Sequence, residues 1–234
     1  MSDRLAVVDP EAGRARFAVL PSALRARLGT VAVVAAAVVV VLGVLFAGHG
    51  QPGTVDRWLV PPTADSVRGP WRDVALVLDF LGEPVGSVLL VAGCVAVRLL
   101  RRRRRAAVLV VAGVGVTVGA TTLLKQVVGR TIHGAGNLSY PSGHTAFLTT
   151  LAMMAALPAA GRPGVGRTAG TSLVLAAALA AGAAMGWAEV ALGAHYPTDA
   201  LGGWCTALAV TPATAWLVDR LADRTADAGG RLLR

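Results

Sequence analysis

The sequence predicts an all-α protein, a bundle of six membrane-spanning helices, and three observations support this prediction. The first is composition: the 234 residues are 55% hydrophobic and only 15% charged, with a mean hydropathy of +0.63. Soluble domains usually carry about 25% charged residues. The second is a series of apolar stretches of roughly the 20 residues that cross a bilayer. The third is the placement of arginine. A soluble globular enzyme is therefore disfavoured and a disordered chain excluded.

Six stretches are long and apolar enough to be membrane helices. They are residues 28–47, 84–100, 106–124, 142–160, 168–188 and 200–218. Arg98 lies near the end of the second stretch, where a long side chain can reach the interface. The segment Trp71–Leu81, before the second stretch, has a helical apolar period, and we expect it to lie along the membrane surface.

Arginine placement predicts the orientation, because cytoplasmic segments of membrane proteins are enriched in Lys and Arg. With the N-terminus in the cytoplasm, inner segments hold 17 of the 22 basic residues and outer segments hold five. The run Arg101–Arg105 then anchors a tight inner turn and is not a nucleic-acid site. We expect cytoplasmic tails at 1–27 and 219–234, and a membrane domain at 28–218 with its motif-bearing core at 71–218.

Polar residues gather on one side of this predicted bundle. Such groups are costly at membrane depth and mark functional sites. Those at the outer ends of the last four helices are Lys125, Arg130, Ser142, Gly143, His144, Glu189, His195 and Asp199. One span more or fewer would separate them across the bilayer, so the six-helix topology itself predicts an extracytoplasmic site.

The residues around the start of the fourth helix predict an anion site. Lys125 and Arg130 are fixed cations. A helix that begins at Ser142 presents free amides and the positive end of its dipole, which together bind phosphate. Gly143 allows close approach of the backbone, and the Ser142 hydroxyl adds a donor.

Two histidines add reactive groups to this predicted cradle. His195 and Asp199 are four residues apart, so they share one face of a helical turn. A carboxylate on one imidazole nitrogen makes the other a better nucleophile or base. His144 can supply a proton. The set predicts one histidine that attacks phosphorus and one that protonates a leaving group.

The segment from Trp71 to Val218 resembles the type 2 phosphatidic acid phosphatase family. The family motif Pro-Ser-Gly-His is intact at 141–144, His195 and Asp199 match the third motif, and Lys125, the one lysine of the chain, matches the first. The resemblance implies a six-helix membrane enzyme that removes phosphate from lipid phosphates or polyprenyl diphosphates, with no metal and no cofactor.

The resemblance also implies a role for each matching residue. Lys125, Ser142 and Gly143 would bind the phosphate. His195 would be the nucleophile that forms a phosphohistidine, Asp199 would orient it, and His144 would be the general acid.

Two positions depart from the family motifs. Ile132 and His133 stand where the first motif has Arg-Pro, and we expect Arg130, helped by His133, to supply the missing guanidinium. Glu189 stands where the third motif has a phosphate-binding Arg. A carboxylate there repels phosphate by a few kcal/mol at an effective dielectric near 20. We expect this to weaken activity unless Glu189 pairs with Arg130 or Lys125, or turns away.

The predicted function is therefore a lipid phosphatase whose partners are a lipid phosphate substrate and membrane lipids, not nucleic acid. A polyprenyl phosphate or diphosphate is the first choice of substrate and phosphatidic acid the second. Alternatives are an inactive lipid-phosphate-binding protein of the same fold, a transporter or channel, and a metallohydrolase built from His144, His195 and Asp199. The sequence leaves open whether the chain forms a homodimer.

Overall fold

The computed structural model describes residues 18–232, with side chains described up to residue 228. Eight α-helices fill this part of the chain, after a short 3₁₀ turn at Ser22–Leu24. They are α1 (Arg25–Leu45), α2 (Thr54–Ser66), α3 (Pro70–Gly82), α4 (Pro84–Leu100), α5 (Arg104–Val128), α6 (Gly143–Ala160), α7 (Arg167–Ala191) and α8 (Pro197–Leu232). The all-α prediction is confirmed for the described residues, where the one β-type contact is an isolated bridge between Thr131 and Leu138.

Four helical segments in the described part are long and apolar enough to cross a membrane. They are Ser22–Leu45, Arg104–Val128, Arg167–Ala191 and Pro197–Ala228. Helices α3 and α4 meet at a 69° bend and make a fifth, broken span if they are taken together. The chain is therefore a multi-pass membrane protein, while the count of six spans stays a prediction.

Helix α6, at the fourth predicted stretch, is the central helix of the bundle and packs against α5, α7 and α8. Eleven of its 18 residues are buried, which is typical of an interior helix. Its 18 residues also include His144 and three threonines, which lower its hydropathy. One of them, Thr150, pairs with Thr117 of α5 through hydroxyls 3.0 Å apart, which avoids the cost of an unpaired buried hydroxyl.

Close packing at the start of α6 sets the geometry of the end of the bundle that carries the Pro-Ser-Gly-His segment. Gly203 of α8 lies against the backbone oxygen of Ser142, and a side chain at Gly203 would collide with it. Gly202 meets the ring of Tyr140 in the same way. These glycines bring α8, which follows His195, directly against the Pro-Ser-Gly-His segment.

The long connection between α1 and α4 is largely helical. The predicted helix over Trp71–Leu81 is present as α3, Pro70–Gly82. Helix α2, which carries Pro61 and Pro62 in its interior, was not predicted from the sequence. Helix α2 packs against α7 and α8, and it contributes Asp56 to the site described next.

Candidate active site

Arg130 has no exposed surface, and its guanidinium joins two carboxylates. Its Nη1 donates to Asp199 Oδ1 at 2.6 Å and to Thr198 Oγ1 at 2.6 Å, and its Nη2 donates to Asp56 Oδ2 at 2.7 Å. The guanidinium also lies over the ring of Phe46, 3.9 Å from the centroid. These partners differ from the expected phosphate, and they make Arg130 an anchor that fixes Asp199.

The two residues that replace the family's Arg-Pro have structural contacts. Ile132 is a core residue, only 4% exposed. The exposed His133 adopts a φ of +60° and donates from Nε2 to the carbonyl oxygen of Gly193 at 2.7 Å. His133 therefore ties its own loop to the loop that leads to His195. These contacts do not support the expected role of His133 in binding phosphate.

The environment of Asp56 gives this cluster a pH dependence. Burial raises the pKa of Asp56, but hydrogen bonds from Arg130, Thr198 and Gly53 outweigh burial and bring the pKa below its usual value. A lowered pKa in the folded state means that ionised Asp56 stabilises the fold above the pKa of the unfolded chain. That contribution is lost as the pH falls from about 4 through the lowered pKa.

Replacing Asp56 with asparagine is expected to destabilise the protein by about 3 kcal/mol at pH 7, because it removes one partner of a buried ion pair. The Tm in detergent should fall, and its decline below about pH 4 should become shallower. Asp65→Asn is the matched control, since Asp65 lies on the same helix in an exposed pair with Arg68, where less than about 1 kcal/mol is expected. Equal losses of Tm in the two variants would contradict the assignment.

His195 and Asp199 lie side by side, as their spacing predicts, but their side chains are too far apart for a hydrogen bond. Asp199 Oδ2 is 3.7 Å from His195 Nδ1, longer than a hydrogen bond. Its other contacts are fixed, since Oδ1 accepts from Arg130 and Oδ2 accepts from the Tyr196 amide at 3.0 Å. Catalytic hydrogen bonds are often long in ligand-free enzymes and tighten on binding, so this distance is compatible with the predicted pairing of Asp199 with His195 Nδ1.

The carboxylate of Glu189 lies between the two histidines. Its Oε2 is 3.6 Å from His195 Nε2 and 3.6 Å from His144 Nδ1. The side chain is 1% exposed, and Oε1 has no hydrogen-bond partner among the described residues. Pairing with Arg130 or Lys125 was expected to offset the repulsion between Glu189 and a phosphate. Neither pair is present among the described ion pairs. Glu189 thus occupies the point that faces both imidazoles.

His144 has two acidic neighbours that the sequence analysis did not select. Glu83 Oε1 lies 3.8 Å from His144 Nε2, and Asp79 offers an oxygen near both. The bend between α3 and α4 approaches the imidazole closely because Gly82 has no side chain, and one there would collide with the ring. The sequence signal for these two residues is their spacing, because Asp79 and Glu83 lie four residues apart at the C-terminal end of an apolar helix.

Ser142 and Gly143, at the start of α6, have different surroundings: Ser142 is buried in hydrogen bonds, and Gly143 faces a cavity. Ser142 is the N-cap of the helix: its buried Oγ accepts from the Thr145 amide at 3.3 Å and donates to Thr145 Oγ1 at 3.0 Å. Its own amide donates to the Asp199 carbonyl at 2.9 Å, which links the two motifs. Gly143 lines an open cavity together with Lys125 and His144.

Lys125 is the cation of the site without a fixed partner. It is partly buried on α5, and no hydrogen bond or ion pair within 4 Å ties it to another described residue. The negative charges of Asp199 and Glu189 act on it. Lys125 is therefore available to a ligand, whereas Arg130 is not.

The cavity at Lys125 and His144 has a volume of about 690 Å³ and runs between α4 and α5. Its walls are mostly aliphatic, formed by Val88, Val91, Val95, Val111, Val114 and Val118. From Val111 to Lys125 the wall follows α5 for about 21 Å at 1.5 Å per residue. One end is therefore apolar and lies along membrane helices, and the other holds a cation and a histidine.

These features define a multi-pass helical membrane protein with a histidine–carboxylate site at one end of an apolar cavity. The PAP2 superfamily matches residues 106–223, half of the chain, and the protein belongs to that superfamily. The family resemblance stated from the motifs is thereby confirmed. The fold is similar to the crystal structure of the first transmembrane PAP2 type phosphatidylglycerolphosphate phosphatase from Bacillus subtilis, with a TM-score of 0.59 and 18% sequence identity over 82% of this chain and 96% of that chain. No curated protein sequence matches this chain.

Proposed function

We propose that this protein is an integral-membrane lipid phosphatase that acts at the extracytoplasmic face. The observation that carries the proposal is the cavity, because its aliphatic walls suit a lipid chain and its polar end holds Lys125 and His144. A lipid whose chain lies between α4 and α5 brings its phosphate to those two groups. Membership of the PAP2 superfamily supports the same activity.

The proposed reaction has two steps. His195 Nε2 attacks phosphorus, the bond from phosphorus to the leaving oxygen breaks, and that oxygen takes a proton from His144. Water then attacks the phosphohistidine, His144 accepts a proton from the water, and the phosphorus–nitrogen bond breaks. Phosphate leaves and both histidines return to their starting states.

The other residues of the site act on this reaction by charge and position. Asp199, fixed by Arg130, holds the Nδ1 proton of His195 so that Nε2 keeps its lone pair. Lys125 and the free amides at the start of α6 stabilise charge on the equatorial oxygens. The carboxylate of Glu189 has to leave the point between the histidines before a phosphoryl group can occupy it.

We infer that the substrate class is a lipid phosphate, with polyprenyl phosphates and diphosphates first and phosphatidic acid second. The test is phosphate release by the purified protein in detergent with EDTA present, on both lipids and on glycerol 3-phosphate as a chainless comparison. Release from a lipid and little from glycerol 3-phosphate supports the proposal. Equal release from all three would show that the cavity does not recognise a chain.

Filling the cavity is expected to impair the lipid reaction selectively. Val118→Trp, on the cavity wall, should raise KM for the lipid roughly tenfold, which corresponds to about 1.4 kcal/mol, and should leave glycerol 3-phosphate unaffected. Val127→Trp is the matched control, because Val127 is exposed on the same helix outside the cavity. An equal change in KM for both variants would argue against chain binding there.

A second candidate function is lipid-phosphate binding without hydrolysis. Glu189 favours it, since its buried carboxylate stands between His144 and His195, where a phosphoryl group has to fit. This alternative predicts that the protein binds lipid phosphates and releases no phosphate from any of them.

A further inference from the structure

Three side chains able to ligate a metal meet at the bend between α3 and α4. One oxygen each of Asp79 and Glu83 and one nitrogen of His144 all lie within 4.8 Å of one another. Three ligand atoms bound tetrahedrally to one ion at 2.0–2.2 Å lie about 3.3–3.6 Å apart. The three atoms therefore need to approach one another by up to about 1.5 Å, which side-chain rotation of the exposed Glu83 can supply.

The nitrogen that faces this group is His144 Nε2. It lies 3.8 Å from Glu83 Oε1 and has no hydrogen-bond partner among the described residues. The other nitrogen, Nδ1, faces Glu189. A ligand held at Asp79 and Glu83 would therefore meet His144 on the side away from the proposed phosphoryl position.

Glu189 adds a third acidic side chain next to this group. It is 99% buried, its Oε1 accepts no hydrogen bond, and it contacts His144 and lies against Asp79. Ionising a buried carboxyl beside a second carboxylate is costly. A positive charge beside Asp79 would lower that cost.

The protein's own cations do not meet this need. Arg130 is occupied by Asp56 and Asp199. Among the described residues of the site, Lys125 is then the one cation left for the carboxylates of Asp79, Glu83 and Glu189. It forms no ion pair with any of them within 4 Å.

We propose that Asp79, Glu83 and His144 Nε2 bind a divalent transition-metal ion, with Glu189 beside it, and that the bound ion withholds His144 from catalysis. Two carboxylates and one imidazole suit Mn²⁺ or Zn²⁺ better than Mg²⁺ or Ca²⁺. An imidazole coordinated through Nε2 cannot become the imidazolium that protonates a leaving oxygen. The catalytic half of the proposal rests on the proposed function, and the binding half does not.

This ligand set differs from the metallohydrolase that the sequence left open. That alternative used His144, His195 and Asp199. Asp199 is bound to Arg130 through Oδ1 and to the Tyr196 amide through Oδ2, and the metal-competent group found among the described residues does not include it. The ion proposed here is a regulatory ligand and takes no part in attack on phosphorus.

The binding half is tested by titrating the purified, EDTA-treated full chain in detergent with Mn²⁺ and following free Mn²⁺ by electron paramagnetic resonance. Wild type should show one saturable site. Glu83→Gln should bind at least about tenfold more weakly, since even outer-shell changes cost that much affinity. Glu83 is 53% exposed, so this variant should fold normally. The control is Asp73→Asn, an exposed acid on the same helix as Asp79. No saturable binding, or equal weakening in the control, would overturn the proposal.

The catalytic half is tested by phosphate release with and without Mn²⁺. Mn²⁺ is expected to lower the kcat of wild type and of Asp73→Asn several-fold, and to affect Glu83→Gln much less. His195→Ala should bind Mn²⁺ as wild type does, so the loss of all hydrolysis would leave the binding result intact. Binding of Mn²⁺ with unchanged or increased release would overturn the inhibitory role.

Discussion

Replacing His195 with alanine is expected to reduce phosphate release by about 10⁴-fold or more, the scale at which the loss of an attacking group acts in covalent catalysis. The side chain is 8% exposed, and its Nε2 faces the point shared with His144. Wild type mixed with lipid labelled in its phosphate should yield an acid-labile, base-stable phosphoprotein, and His195→Ala should yield none.

His49→Ala is the matched control for this measurement. His49 is exposed after α1, its Nδ1 contacts the Ala47 carbonyl oxygen, and it takes no part in the histidine–carboxylate cluster. It should retain the release rate and the labelling of wild type. Labelling that persists in His195→Ala would remove His195 as the nucleophile while leaving the lipid phosphatase assignment open to another group.

Replacing Glu189 with glutamine is expected to raise kcat/KM by about tenfold or more. An ionised carboxylate 4 Å from a phosphate repels it by about 4 kcal/mol at an effective dielectric of 20, so the substitution removes a repulsion that acts whenever Glu189 is ionised. Glutamine has nearly the same shape and no charge. Glu189→Arg, which restores the cation of the family motif, should increase the rate further if the longer side chain fits.

Glu189→Asp is the control, because it keeps the charge and should give no gain. The comparison also separates the two candidate functions. Measurable release by wild type that rises in Glu189→Gln supports a phosphatase slowed by its own carboxylate. No release by wild type, with release gained in Glu189→Arg, would mean that the fold is kept while hydrolysis is disabled, and lipid-phosphate binding would become the assigned function. A lower rate in Glu189→Gln would show that the carboxylate assists catalysis.

Local pattern was enough to predict the helical membrane fold and the family. Apolar stretches such as 106–124 form helices wherever they lie, because a chain in lipid has to satisfy its backbone hydrogen bonds within each segment. The motif at 141–144 and the spacing of His195 and Asp199 are also local. The start of α6 at Gly143 with Ser142 as its N-cap follows from those residues alone.

The sequence by itself therefore determined that this is an all-α membrane protein of the PAP2 superfamily, and it predicted the two histidines of the candidate site. Only the tertiary structure decided which charges meet. Arg130 is paired with Asp56, 74 residues away, and Glu189 faces His144 rather than Lys125. The partners of a buried charge depend on how helices distant in sequence pack, and α2, which carries Asp56, was not predicted at all. The charge balance of the candidate site was thus set by packing, which no single motif contains.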